Sequence, residues 1–378
     1  MLKLFFRADG NQNIATGHLM RCLTIARACQ KYADENGLQA DIRFVVSDQE
    51  SVSLLKERMQ CSPSGEPEFP VVCLSCDYRT PASELPALIR LLTDTAKDFG
   101  GKNDAPGQSP VVLFIDSYFV SPDYFQALTP YCRLAYLDDL RSFDCPVDLV
   151  INYDTALECT HYQPAGVKLL GAAYTPLREQ FCRPSYVVRD HVTDILLSTG
   201  GTDPLGITLP LIRRIRTSSL EKCTLHILTS HANIHYEELA RLAGTDSDVR
   251  LHENVSNVAS LMSSCDLAVS AGGTTLCELC AVGVPSVSFI MADNQRTAAQ
   301  LFSDEGLIPC AGDIRSETAD VCASASSQPD SRMLDAILAF LVQASEDLSL
   351  RENRSHSMRA FLDGCGAGRI ARALFRLS

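Results

Sequence analysis

A histidine beside a glycine, set among polar residues at the start of a helical pattern, is the first feature with chemical capacity. It lies in Phe6-Arg7-Ala8-Asp9-Gly10-Asn11-Gln12-Asn13-Ile14-Ala15-Thr16-Gly17-His18-Leu19-Met20-Arg21-Cys22, which runs out of an apolar segment into a helix. An imidazole titrates near neutrality and can take a proton from water. Alone, His18 reads as a packing residue. Clustered with Asp9, Asn11, Thr16 and Arg21, it becomes a general-base candidate. The turn lacks G-x-G-x-x-G, so it is not a dinucleotide fingerprint.

Three further turns carry phosphate or sugar chemistry. In Ser270-Ala271-Gly272-Gly273-Thr274-Thr275-Leu276-Cys277-Glu278-Leu279 the paired glycines admit a phosphate close to the backbone. Thr274, Thr275 and the helix N-terminus supply donors, and Glu278 could accept from a ribose diol. A plain glycine-rich helix start with a solvated Glu278 is the alternative. Gly200 and Gly201, in Ser198-Thr199-Gly200-Gly201-Thr202-Asp203-Pro204, offer a similar turn, which is equally an ordinary strand-to-helix connection. Asp293, Asn294 and Gln295 could orient a sugar or water, and they suit a helix cap as well. Asp116, Asp138 and Asp139 end expected strands, where capping is the commoner role, so no catalytic part is assigned to them.

Metal chemistry finds little support. His226, His231, His235 and His252 show no ligand spacing, and no H-E-x-x-H pattern is present. Cys73/Cys76 and Cys277/Cys280 have C-x-x-C spacing, but no neighbouring His or Cys completes a four-ligand set. Neither a metal nor a cofactor is expected.

The elements that must hold these turns read as two alternating β/α series. Leu2–Phe6, Ile42–Val46, Val71–Leu74, Val111–Ile115, Leu134–Leu137 and Leu149–Ile151 read as buried strands, with helices near 16–36, 51–60, 83–99 and 122–130. A second series has strands near Asp194–Ser198, Thr224–Leu228, Val249–His252, Leu267–Ser270 and Ser286–Phe289. Its helices lie near 206–217, 235–243, 256–263, 274–282 and 294–303. Such alternation predicts parallel, doubly wound sheets. The boundaries predicted are an N-terminal domain over 1–175, a linker over 176–190, a C-terminal domain over 191–355, and a closing amphipathic helix within 356–378. Polar or Pro/Gly-rich stretches at 61–70, 100–110 and 316–330 read as surface loops.

Composition narrows the function classes. With 378 residues, 46% apolar and 21% charged, the chain is an ordinary globular protein with room for two cores. A net charge of −13 without a basic patch argues against nucleic-acid binding. The N-terminal apolar run is too short for a signal peptide, and no window suggests a membrane span. A cytoplasmic protein is expected, its 16 cysteines reduced and serving as small buried fillers.

Taken in order, R-A-D-x₆-T-G-H-x-M-R-C-L from Arg7, L-D-D-L at 137–140, G-G-T-D-P at 200–204, S-A-G-G-T-T-L-x-E-L at 270–279 and A-D-N-Q at 292–295 resemble one family. It is the UDP-sugar hydrolases of pseudaminic acid biosynthesis, related to spore-coat polysaccharide proteins, and the resemblance runs from about residue 4 to about 305. It implies a GT-B architecture, two Rossmann-like domains facing across a cleft, and a substrate, UDP-2,4-diacetamido-2,4,6-trideoxy-β-L-altropyranose. It also implies His18 as base, with Gly272, Gly273, Thr274 and Glu278 around UDP and Asn294 orienting the substrate. Arg7, Asp9, Thr16, Gly17, Arg21, Gly200, Gly201, Thr275, Asp293 and Gln295, from the same turns, complete the expected substrate-binding set. Rival readings are a GT-B glycosyltransferase using a UDP-sugar donor, such as the one acting on lipid-linked muramyl peptide, and a non-catalytic nucleotide-sugar-binding subunit.

Overall fold

Strands that are apolar along their whole length must have both faces covered, which is the condition of a parallel sheet between helices. In the computed structural model, which describes residues 1–14, 16–60, 66–97, 111–141, 143–154, 162–163, 165–315 and 331–377, this is what the apolar runs build. The chain divides into two units, residues 1–179 with 365–378, and residues 180–364.

The first unit contains β1 (Leu2–Ala8), α1 (Gly17–Glu35), β2 (Ala40–Val46), α2 (Gln49–Gln60), β3 (Val71–Cys73), α3 (Leu85–Lys97), β4 (Val111–Asp116), α4 (Pro122–Leu128), β5 (Arg133–Leu137), β6 (Leu149–Asn152) and β7 (Val167–Leu170). The sheet order is β3-β2-β1-β4-β5-β6-β7, with every pairing parallel. Alternation along β1 sends Leu4 and Phe6 to the face covered by Leu19, Leu23 and Ala26 of α1, and Phe5 to the opposite face with Leu88, Leu92 and Phe125. Side chains of this size contribute about 1.5–3 kcal/mol each when fully buried.

The second unit contains β8 (Asp194–Ser198), α5 (Thr208–Arg216), β9 (Thr224–Leu228), α6 (Tyr236–Thr245), β10 (Val249–His252), α7 (Val258–Ser263), β11 (Leu267–Ala271), α8 (Thr275–Val282), β12 (Ser286–Ile290), α9 (Arg296–Asp304), β13 (Cys310–Asp313), α10 (Ser331–Glu346) and α11 (Leu348–Phe361). Its order is β10-β9-β8-β11-β12-β13, again parallel. Buried Asp203 starts α5, its carboxylate accepting the N–H groups of Ile207 and Thr208. Gly283, at φ +86, ends α8 in the left-handed conformation that glycine supplies cheaply.

The closing segment departs from the sequence reading. The single helix expected within 356–378 is two: α11 ends at Phe361, and α12 (Gly366–Phe375) follows in the first unit. There Ile370 and Leu374 join the α1 face of the sheet, and Phe375 meets Tyr32 at 5.1 Å. Gly364, at φ +73, makes the break, since a Cβ there would sit 1.8 Å from the Phe181 carbonyl oxygen. The apolar spacing continues across the break, which is why the periodicity reads as one helix. β7, β13 and α10 are additional to the sequence reading. The expected loops at 100–110 and 316–330, and 61–65 of the first, lie outside the described residues.

The cysteines divide as well. Eleven described thiols are free, most of them buried as fillers, but Cys182 and Cys365 are disulfide-bonded, correcting the expectation that all are reduced. No helix among the described residues is long and apolar enough to cross a membrane.

Candidate active site

An open parallel sheet exposes a crevice where strand order reverses, because the helices that follow the two flanking strands pack on opposite faces. In the first unit that point lies between β1 and β4, and the turn after β1 leads directly to His18. Asp116 is the last residue of β4, so sheet pairing brings it to the first turn of α1. His18 Nδ1 lies 2.6 Å from Asp116 Oδ1. An ionised carboxylate only accepts, so the proton of this bond sits on Nδ1 and the lone pair on Nε2. Nε2 has no partner among the described residues.

Arg21, one turn along α1, grips the same carboxylate. Its Nε donates to Asp116 Oδ2 at 2.5 Å and its Nη2 to Oδ1 at 2.6 Å. Burial alone would push the Asp116 carboxyl up, but the Arg21 guanidinium and the His18 bond hold it below the usual carboxylate range. Arg21 Nη1 also donates to Asp139 Oδ2 at 2.7 Å and to the Tyr153 hydroxyl at 2.9 Å. The Tyr118 ring stands edge-on to His18 with centroids 4.4 Å apart, and its hydroxyl donates to Asp139 at 3.1 Å. Burial and the nearby Asp139 charge push the Tyr118 phenol up to about 12, so it stays neutral at ordinary pH.

The other residues flagged in this turn are placed differently. Arg7 is 2% exposed and bonds Asp9 at 2.5 Å and both oxygens of Glu84 at 2.8 and 2.6 Å. Asp9 also accepts from the backbone and hydroxyl of Ser47, and Glu84 from Tyr124. This network ties β1 to the loops after β2 and β3, and its polar atoms are turned inward. Asn11 shapes the turn by accepting the N–H groups of Asn13 and Ile14. Thr16 precedes α1 without a side-chain cap, and Gly17 is exposed with open space where a Cβ would point. Asp138 closes the turn after β5 by accepting from Leu140 and Arg141, while its neighbour Asp139 faces the His18 cluster. Asp116, Tyr118, Asp139 and Tyr153 therefore surround His18 and Arg21, neighbours that strand-end reasoning passed over.

In the second unit the order reverses between β8 and β11, and the two glycine pairs follow those strands. Gly200 takes φ +88, and a Cβ there would lie 3.1 Å from Met291 Cε. Gly272 is needed for packing, since a Cβ would come within 3.1 Å of Ala299 Cβ and the Gln295 carbonyl. Gly273 differs: nothing lies within 4 Å of its Cβ position. The first N–H groups of a helix have no intrahelical acceptor. Those of Thr274 and Thr275, with both hydroxyls, have no partner among the described residues. Glu278 sits one turn into α8, half-buried.

The turn after β12 is held from two sides. Gln295 Oε1 accepts the Met291 N–H at 3.0 Å, and Arg315 donates to Asp293 at 2.9 Å. Between them the exposed Asn294 keeps its amide without a partner among the described residues. No group of three or more His, Cys, Asp or Glu among the described residues could hold a metal ion.

No family model matches the chain. The resemblance carried by the motifs nevertheless holds over most of its length. The chain is 21% identical over 312 residues to the UDP-2,4-diacetamido-2,4,6-trideoxy-beta-L-altropyranose hydrolase of Campylobacter jejuni, an alignment covering 81% of this chain and 97% of that protein. It is 25% identical over 128 residues to the spore coat polysaccharide biosynthesis protein SpsG of Bacillus subtilis, covering 34% and 38% of the two chains. Among solved structures, MurG of Acinetobacter baumannii superimposes with a TM-score of 0.60 at 12% identity, over 100% of both chains. The two parallel-sheet units and this neighbour show a GT-B fold.

Proposed function

We propose that this chain hydrolyses a UDP-sugar, UDP-2,4-diacetamido-2,4,6-trideoxy-β-L-altropyranose, to UDP and the free sugar with inversion at the anomeric carbon. The observation that carries this reading is the buried His18–Asp116 pair, which leaves Nε2 as a base with no partner among the described residues. Nε2 takes a proton from water as the water oxygen bonds to the anomeric carbon, and the bond from that carbon to the UDP oxygen breaks. The electron pair leaves with UDP. One displacement from the face opposite the leaving group inverts the centre.

The second unit supplies the nucleotide grip in this reading. Negative charge on the departing diphosphate is met by the Thr274 and Thr275 N–H groups and the positive end of the α8 dipole. Glu278 accepts from the ribose, and Asn294 orients the sugar. The imidazolium formed on His18 is stabilised by ionised Asp116, as in hydrolase triads where a carboxylate supports a histidine. The similarity to the Campylobacter jejuni hydrolase over 97% of that protein's length supports the choice of water as nucleophile.

The test is proton NMR of the purified chain with this UDP-sugar and no acceptor. Free sugar of inverted anomeric configuration is the expected product; an intact substrate would sink the hydrolase reading in favour of a transferase awaiting its acceptor. The nucleotide grip has its own check in Gly273→Ala. The fold has open space for the added methyl, so the melting temperature should stay within about 2 °C of wild type. A diphosphate lying on that backbone would be displaced, weakening UDP binding by about tenfold, or about 1.4 kcal/mol. Unchanged UDP affinity would move the phosphate site elsewhere.

A further inference from the structure

We infer that Arg21, a substrate-binding candidate from its place beside the general base, is a positioning residue. Its guanidinium joins two carboxylates, Asp116 and Asp139, and thereby holds His18 in the one orientation and tautomer that presents Nε2. The inference rests on the reading of His18 as the base.

The argument begins with donors. A guanidinium has five N–H groups in a planar fork. Four are engaged within the protein: Nε and Nη2 with the two oxygens of Asp116, and both hydrogens of Nη1 with Asp139 and Tyr153. The side chain is 14% exposed, and its partners come from the ends of three adjacent strands, β4, β5 and β6. Little of this fork is left for a substrate. Arginine suits the task because its planar donors match a carboxylate bidentately, which a point charge cannot do.

The same geometry sets the charge around His18. Facing the ring or its carboxylate are Asp116 from β4, Arg21 and Cys22 from α1, Tyr118 after β4, Asp139 after β5 and Tyr153 after β6. Arg21 Nη2 lies 3.0 Å from Nδ1, which already carries the proton given to Asp116. The contact is therefore one of charge and not a hydrogen bond. Asp139 is committed to the arrangement as well. Its Oδ2 takes bonds from Arg21 and Tyr118, while Oδ1 is buried without a hydrogen-bond partner among the described residues.

The experiment compares wild type with Arg21→Gln and Arg21→Lys by three readouts. Inhibition by UDP reports phosphate contacts, kcat against KM separates chemistry from binding, and nitrogen-15 NMR of the histidine rings reports the tautomer without needing turnover. His18→Ala identifies the His18 signals. Arg21→Gln is expected to leave the UDP inhibition constant within about twofold and to lower kcat by about 10- to 100-fold. Its His18 ring should lose the single Nδ1–H tautomer. Arg21→Lys keeps the charge and should recover only part of kcat, because one ammonium cannot replace the fork. If Arg21→Gln fails to fold, Arg21→Lys carries the test, with kcat lowered and the UDP inhibition constant unmoved. A UDP inhibition constant raised tenfold or more, with the tautomer unmoved, overturns the inference and makes Arg21 a phosphate ligand. Absence of turnover in wild type would instead remove the hydrolase reading, and the ring-nitrogen spectra would still decide the role of Arg21.

Discussion

Replacing His18 by alanine is expected to lower kcat for UDP release by about 10²- to 10⁴-fold, the range a positioned general base supplies. The reason is local. Nε2 of His18 is the imidazole nitrogen at the first unit's switch point that has no partner among the described residues, and the groups around it cannot substitute. Asp116 is held ionised but buried and gripped by Arg21, Tyr118 is neutral with its phenol up at about 12, and Arg21 is a permanent cation. The loss should fall on kcat, since the proposed nucleotide contacts lie on α8 and the turns after β8 and β12. UDP affinity should therefore stay within about twofold of wild type, well under the tenfold that about 1.4 kcal/mol represents. Anomeric-proton NMR gives the rate and UDP titration the affinity. A His18→Ala enzyme working within tenfold of wild type would show that the attacking water loses its proton elsewhere.

How far such a site can be read from sequence depends on which contacts are local. The apolar runs at β1, β4, β8 and β11 announce a parallel sheet because no polar alternation interrupts them. The turns that follow β1, β8 and β11 were legible for the same reason, and with them His18 and the glycine pairs. Asp116 was not. It stands 98 residues from His18, and only the order β2-β1-β4 makes the two neighbours; on its own, Asp at a strand end suggests a cap. Asp139 was hidden in the same way, beside an Asp138 that does serve a turn.

Arg7 shows the converse. Polar residues next to a functional turn suggest function, yet the side chain of Arg7 meets Glu84, 77 residues away, in a buried network. Pairing at that distance is a tertiary fact with no sequence signal. The C-terminal break was within reach, because Gly364, Gly366 and Gly368 cluster where a helix would have to continue. What could not be read is that α12 returns to the first unit. Gly366 belongs to that return: a Cβ there would stand 2.2 Å from the Thr175 carbonyl, so only glycine lets the helix approach that closely.

The Asp116→Asn variant separates orientation from charge at the base and should cost nearly as much as losing the histidine, about 10³-fold in kcat. The carboxylate accepts three bonds that matter, from His18 and Arg21 Nη2 on Oδ1 and from Arg21 Nε on Oδ2. An amide cannot reproduce them in either orientation. With its oxygen in place of Oδ1, the NH₂ group opposes the Arg21 Nε–H, and the imidazolium formed during reaction loses its counter-charge. With its oxygen in place of Oδ2, the NH₂ group opposes Arg21 Nη2 and donates to Nδ1, which places the ring proton on Nε2 and removes the base. Stability supplies an independent sign. The Asp116 carboxyl is lowered in the folded protein, so its contribution is present above the ordinary carboxylate value of about 4 and fades as pH falls through the lower folded value. Asparagine has no such titration. Thermal unfolding followed from pH 7 downward should therefore find the wild type more stable at neutral pH, with the gap to Asp116→Asn narrowing as the solution is acidified. A gap that stays constant through acid pH, together with kcat within tenfold of wild type, would leave Asp116 as packing for α1 and no more. A narrowing gap with the expected loss of rate would tie the stability of the site and its chemistry to one carboxylate.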